Sequence, residues 1–395
     1  MRKGCQFPFP ILSIDCRRFL LAQFHVDALA SKPTRGEVRR ALSHLPQKLD
    51  DSYNEIMSRI WSQGEEELKR AKQVLRWISC AKRPLTVIEL QSAIGFEKFG
   101  LEIDEGELLP EAEMISVCAG IVTVDKQSNI IRLVHFSVQE YFDRIRESKF
   151  PDAQIDIART CLTYLGFDVF NDPCLDKGSL EKRLEQYKLS HYAAQFWAFH
   201  AREGEKEPNI QRAVLSLLVS ENKRNSMLQM ETYANSNWGY IDFTKGQTLL
   251  HVIAKNGLAT ICGFILDAHK KGQLQILGLS ETDVDVAAKD EHKQTPLSWA
   301  AKNGYVEAVR WLVEKGKAEV DSKDNIYGRT PLSWAARNGH VDAVRWLVEE
   351  GKAEVESKDD EYGKTPLDWA RKGSKWKSGS HEDVIELLQK WKRGT

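Results

Sequence analysis

The 395-residue sequence contains no apolar run approaching the roughly 18–20 residues that a membrane-spanning helix needs. It has little cysteine, and that little is scattered: residues 5, 16, 80, 118, 161, 174 and 262 stand singly, with no C-x-x-C pair and no histidine at ligand spacing. Such an odd, unclustered set suits a reducing compartment better than a disulfide framework. Neither sign of charge is in excess, since 56 lysines and arginines meet 57 aspartates and glutamates for a net charge of -1. The chain as a whole therefore has no electrostatic pull toward nucleic acid or an anionic membrane. There is no G-x-S-x-G nucleophile elbow and no H-E-x-x-H pair, and the ten histidines are dispersed. Gly363-Lys-Thr365 has the ending of a phosphate-binding loop, but position 358, where its first glycine belongs, is lysine, and acidic DDEY precedes it. The N-terminal MRKGCQFPFPILSIDCRR starts basic, but Pro8 and Pro10 interrupt its short apolar patch, Asp15 ends it, and no small-residue cleavage site follows. Residues 1–18 read as an irregular start. These absences predict a cytoplasmic, non-catalytic protein with no cofactor, no metal and no membrane contact.

What is present is repetition. Thr295-Pro-Leu-Ser-Trp-Ala-Ala301, Thr330-Pro-Leu-Ser-Trp-Ala-Ala336 and Thr365-Pro-Leu-Asp-Trp-Ala370 recur, each 35 residues after the last, and the text between them nearly repeats. Thr at the N-cap with Pro at the first helical position opens a helix, because the hydroxyl satisfies an orphan N–H and Pro lacks one. Asn-Gly at 303–304 and 338–339 closes it, the glycine supplying the left-handed turn. A second helix follows, with Val309, Trp311, Leu312 and Val313 in one unit and Val344, Trp346, Leu347 and Val348 in the next; Trp311 and Trp346 are expected in the core. It stops at Gly316 and Gly351, and polar KAEVDSKDNIYG then predicts a hairpin-like finger.

This helix–turn–helix–finger unit resembles the ankyrin repeat, which opens T-P-L-H-x-A. Ser298, Ser333 and Asp368 stand where the family has His, so the network between repeats must be built differently. A degenerate unit, Gly246-Gln-Thr248-Leu-Leu-His251-Val-Ile-Ala254-Lys-Asn-Gly257, precedes the others with an insertion expected around 270–284. The closing helix HEDVIELLQKWK caps the stack with its polar face. Four units, starting near 246, 290, 325 and 360, are expected within 245–395.

Upstream, 19–30, 48–61 and 65–81 read as helices, a helical arm over 19–81, with Leu68, Val74, Leu75 and Ile78 along one side of the third. Thr86-Val-Ile-Glu89 forms a capping box for the next helix. A helix over 107–118, strands at 121–124 and 130–134 around DKQSN, and a helix from Phe136 to Ile145 describe a winged helix over 82–150. LPQKLDDSYNEIMSRI, LRWISCAKRPLTVIELQSAI, SVCAGIVTVD and IIRLVHFSVQEYF resemble the GPI inositol-deacylase-type winged-helix segment that follows the NACHT core of fungal NACHT–ankyrin proteins. These belong to the STAND class of signalling NTPases, and the similarity extends through HYAAQFWAFHARE (191–203). Of the phosphate loop, acidic magnesium strand and sensor arginine that the family's core carries, this sequence shows none. The resemblance therefore implies the sensing half of such a receptor, as a short paralogue or as a truncated gene model, and carries no ATP hydrolysis with it.

The predicted fold is mainly α: a winged-helix α+β domain, a helical connector over 151–244, and a C-terminal ankyrin solenoid. Two other functions compete for the winged helix. DNA recognition needs basic side chains on the reading helix. That helix instead carries Glu107, Glu111 and Glu113, and residues 84–147 hold twelve acidic against five basic side chains. Lipid hydrolysis has no nucleophile, and His135, at the end of an apolar strand, reads as a packed structural residue. Recognition of a protein partner in the ankyrin groove remains, with a NACHT core, in the same chain or another, as a further partner; the alternative is a fragment of a NACHT ATPase receptor lacking its nucleotide-binding core. The candidate contacts are Trp299, Trp334 and Trp369, one per repeat, with Lys302, Arg337 and the finger residues Tyr327, Arg329, Tyr362 and Lys364. The Trp ladder is either a row of contact anchors or packing between repeats.

Overall fold

In the computed structural model the described residues are 34–42, 49–99, 108–236, 242–374 and 381–394, with isolated positions 22, 26, 29 and 30. Among these residues the chain is mainly helical with one small antiparallel sheet, and it divides into two compact units, 1–153 and 154–395.

The first unit begins with helices α1 (Arg35–Leu42), α2 (Leu49–Trp61) and α3 (Glu65–Cys80). The expected helix over 19–30 lies largely outside the described residues. Three glutamates in the first turn of α3 favour its N-terminal dipole end. Its inner face holds Ala71, Val74, Leu75 and a fully buried Trp77, while Leu68 and Ile78 are half-buried at the margins. Strand β1 (Leu85–Thr86) runs into α4 (Val87–Phe99). The capping box is made as expected: the Glu89 carboxylate accepts from the Thr86 N–H at 2.9 Å and the Thr86 hydroxyl from the Glu89 N–H at 3.3 Å. Arg83 adds two bonds to the same carboxylate, at 2.9 and 2.6 Å.

The reading-position helix is shorter than expected. It is α5, Glu111–Ser116, beginning after Pro110; Glu107 lies outside the described residues. Strands β2 (Val122–Asp125) and β3 (Ile130–Leu133) form the expected wing around the turn at 126–129. The sheet has a third strand that the sequence pattern did not show: β1 pairs antiparallel with β3, Leu85 opposite Ile131, giving the order β1-β3-β2. Two residues carry no periodicity, which is why this strand left no mark. His135 caps the closing helix α6 (Phe136–Lys149), its Nδ1 accepting from the Ser137 N–H at 3.2 Å. Ser137 Oγ also meets the buried Tyr53 hydroxyl at 2.8 Å, so His135 is structural.

The second unit starts with five helices, α7 (Ala153–Leu165), α8 (Lys177–Gln186), α9 (Ser190–Ala201), α10 (Pro208–Val219) and α11 (Glu221–Asn235). Tyr192, Trp197 and His200 of α9 are buried, and His200 is held between Tyr192 Oη at 2.8 Å and Gln154 Oε1 at 2.5 Å. The repeats follow as helix pairs: α12 (Leu249–Lys255) with α13 (Ala259–Lys270), α14 (Pro296–Asn303) with α15 (Val306–Glu314), α16 (Pro331–Asn338) with α17 (Val341–Glu349), and α18 (Pro366–Ser374) with α19 (His381–Gly394). First helices pack on first helices and second helices on second helices, making two layers. The insertion of the first unit contains two short 3-10 turns, Leu274–Leu277 and Glu281–Asp283.

Each first helix opens on its Thr, whose Oγ1 accepts the N–H three residues on, at 3.2 Å in Ser298 and 3.3 Å in Ser333. Gly304 ends α14 at φ +76, and a Cβ there would overlap the imidazole of His340 from the next repeat. That glycine is required twice, by its backbone angle and by the close approach. Where the second helices stop, the left-handed residue is not Gly316 or Gly351 but the lysine after each, Lys317 at φ +59 and Lys352 at φ +57. Gly316 is needed for space, its Cβ position lying 2.6 Å from the Leu312 carbonyl oxygen. Val309, Leu312, Val344 and Leu347 fill the layer between helices. Trp311 and Trp346, expected in the core, are half-exposed on the second helices; Trp311 lies along Gly263 of the preceding unit.

Candidate protein-interaction surface

The first helices and the fingers form one continuous face, built by a device repeated in the last three units. An aspartate at the start of each finger uses one carboxylate oxygen to gather backbone N–H groups of the turn. In the middle unit Asp324 Oδ1 accepts from Ile326, Tyr327 and Gly328 at 3.1, 2.9 and 3.1 Å. Its other oxygen accepts the indole N–H of the tryptophan on the following helix. The three bonds are Trp299 to Asp290 at 2.8 Å, Trp334 to Asp324 at 2.7 Å and Trp369 to Asp359 at 2.9 Å. Every finger is thereby tied to its own first helix. Single backbone bonds link successive fingers, Asn325 N to His292 O and Asp360 N to Tyr327 O, both 3.0 Å.

This is how the stack manages without the usual histidine. His251 of the first unit keeps that position: Nδ1 accepts from Thr248 N at 3.1 Å, so Nε2 carries the proton and donates to Gln294 O of the next unit at 3.0 Å. Burial pushes the His251 imidazole pKa down and keeps the ring neutral. Later units move the inter-repeat bond to the junction between the first and second helices. His340 Nε2 and Asn338 Nδ2 donate to Lys302 O at 3.0 and 2.8 Å, and His381 Nε2 donates to Arg337 O at 3.0 Å.

The tryptophan ladder is buried: Trp299, Trp334 and Trp369 are 9%, 6% and 0% exposed. In the unbound chain it is packing, and the side chains that reach solvent are the cations lying on it. Lys302 Nζ sits 4.2 Å from the Trp299 ring centre and 4.6 Å from that of Trp334, bridging two repeats. Around the Trp369 ring stand Arg329 at 3.6 Å, Lys372 at 4.8 Å, Lys364 at 5.0 Å and Arg337 at 5.3 Å. Lys302, Arg337 and Lys364 are half-exposed, Lys372 is exposed, and Tyr362 is 51% exposed beside half-buried Tyr327. Arg329 departs from expectation: sequence placed it among exposed finger contacts, but it is 1% exposed, wedged between Trp334, Trp369 and Tyr327. Lys372 is a face residue the sequence reading missed, although it stands seven residues after Thr365 as Lys302 does after Thr295.

Residues 297–348 and 332–389 match the family model of ankyrin repeats in many copies. The stack is an ankyrin-repeat array. Residues 58–156 match the model of the GPI inositol-deacylase winged helix domain, so a winged-helix domain of that type precedes the ankyrin repeats. No curated protein matches the chain. An ankyrin array is a non-catalytic protein-interaction element, and no described helix is long and apolar enough to cross a membrane. In the winged-helix domain the acids of α5 are engaged internally, Glu111 with Lys126 of the wing at 2.5 Å and Glu113 with Arg70 of α3.

Proposed function

We propose that this chain is the non-catalytic sensing segment of a STAND-type signalling receptor, and that its ankyrin stack recognises a protein partner on the face of first helices and fingers. The observation that carries recognition is the division of labour on that face. The tryptophans and aspartates are consumed by the fold, whereas Lys302, Arg337, Lys364, Lys372 and Tyr362 reach solvent with no ion pair among the described residues. The tryptophan rings on which the four cations rest leave their charged ends without a carboxylate partner among the described residues. The receptor reading is supported by the order of segments, a winged-helix domain of the GPI inositol-deacylase type ahead of ankyrin repeats, which resembles the arrangement in NACHT–ankyrin proteins. In that setting the winged helix packs against a NACHT core, and α5, which carries no basic residue, offers a phosphate backbone no cationic side chain.

A selection from random peptides displayed on phage, panned on the full chain, tests the recognition reading. Enriched sequences that lose binding when Arg337 is changed to Gln or Tyr362 to Ala support it. Enrichment indifferent to both substitutions, or no enrichment, overturns it.

A further inference from the structure

The cations on the face are not scattered. Position seven after each opening Thr is Lys255, Lys302, Arg337 and Lys372, one per repeat, all on first helices. Of these only Lys255 has a carboxylate among the described residues, Glu231 at 2.8 Å. The other three rest on tryptophan rings, which attract a cation through the ring quadrupole but accept no hydrogen bond from its edge. Beneath them the buried Arg329 leaves Nε and Nη1 without any acceptor. Four cations thus crowd one indole ring, and Asp359, the one acid among the described residues bonded to that ring, is already committed to the Trp369 N–H and the finger turn.

Such a site is electrostatically incomplete. Partial desolvation against the rings and the neighbouring Lys364, Arg337 and Arg329 push the Lys372 pKa down, and burial pushes down that of Lys302. Burial together with Arg337 brings Arg329 down to about 10. An anion seated between Arg337, Lys364 and Lys372 would remove the repulsion among the cations that reach solvent.

We infer that the ankyrin face binds an extended acidic peptide segment, whose carboxylates are received by Lys302, Arg337 and Lys372 in turn. Packed helices lie about 8–10 Å apart and an extended chain advances about 3.3 Å per residue. Cations one repeat apart therefore meet carboxylates about three residues apart. The exposed aromatic ring of Tyr362 covers the apolar positions between. A uniform polyanion fits worse, because the finger tips beside this face carry exposed Glu291, Asp360 and Glu361. The inference rests on the recognition reading above and narrows it to one partner chemistry.

The test measures fluorescence anisotropy of a labelled glycine–serine peptide of about twelve residues with glutamate at every third position, titrated with the full chain. Binding that weakens as salt is raised is expected. Replacing Lys372 by Glu, an exposed site, or Arg337 by Gln should weaken it at least about tenfold with an unchanged melting temperature. Equal binding of the same peptide with lysines in place of glutamates, or of one with its glutamates contiguous, would overturn the inference. So would indifference to both substitutions, or tighter binding of duplex DNA. The two readings fail differently. Phage selections that return Arg337-dependent peptides poor in Asp and Glu sink the acidic partner and leave recognition standing, whereas selections that return no dependent peptide remove both.

Discussion

The indole Nε1 of Trp334 donates a 2.7 Å hydrogen bond to Oδ2 of Asp324, ten residues earlier, and both groups are buried. The bond closes a loop between a finger and its helix, and the other oxygen of Asp324 organises the turn. Replacing Trp334 by Phe keeps most of the ring but orphans a buried carboxylate oxygen, which costs about 1–3 kcal/mol. Asp324→Ala abandons the turn donors as well and costs more. Urea unfolding of both variants and the double variant should show non-additive losses, since the pair is in direct contact. Additive losses would mean that the bond contributes nothing.

Repetition made the ankyrin array legible: Thr-Pro openings, Asn-Gly stops and the 35-residue spacing each have a local physical cause, and the helices begin and end where those residues stand. The winged helix was legible from the capping box and the two wing strands, but not from β1, two residues long. On the candidate face, residue type alone misled. Arg329 is charged and sits in a polar finger, yet the fold turns it inward onto Trp334 and Trp369. The reverse holds for Trp311 and Trp346, whose large apolar rings are half-exposed. Burial of a single side chain depends on neighbours 35 residues away, which no local pattern contains.

Gly304→Ala should be among the most damaging small substitutions in the stack. At φ +76 a Cβ costs about 1–2 kcal/mol on backbone grounds alone, and here it also collides with His340. A melting experiment should show a loss exceeding that of Gly363→Ala, where φ is +60 but nothing lies within 4 Å. Equal losses would mean that the contact with His340 carries no weight.

Glu89 supplies a pH dependence. Burial alone would raise its pKa, but the Arg83 guanidinium and the Thr86 N–H outweigh it and hold the carboxyl below its ordinary 4.5. A depressed carboxylate stabilises the fold fully above the unfolded value and loses that contribution as the pH falls through the folded one. Wild type should therefore exceed Glu89→Gln in stability at neutral pH, and the gap should narrow below about 4.5. Denaturation midpoints of the two proteins across this range check it; a constant gap would show that the carboxylate charge is not responsible.

Arg329→Met should be neutral or stabilising, although it removes three cation–aromatic contacts. Those contacts are worth about 2 kcal/mol at best for a desolvated cation, whereas burying a cation without an ion pair costs several kcal/mol. Nε and Nη1 have no acceptor to offset that cost, and the flexible thioether can fill the space between the rings. The pKa brought down to about 10 has the same sign: a base depressed in the folded state weighs against folding at every pH below that value, and the burden lifts only above it. An unchanged or higher melting temperature for Arg329→Met at pH 7 is expected. A fall of about 2 kcal/mol or more would mean that the contacts with Trp334, Trp369 and Tyr327 outweigh desolvation, and that the arginine is there to hold adjacent repeats together.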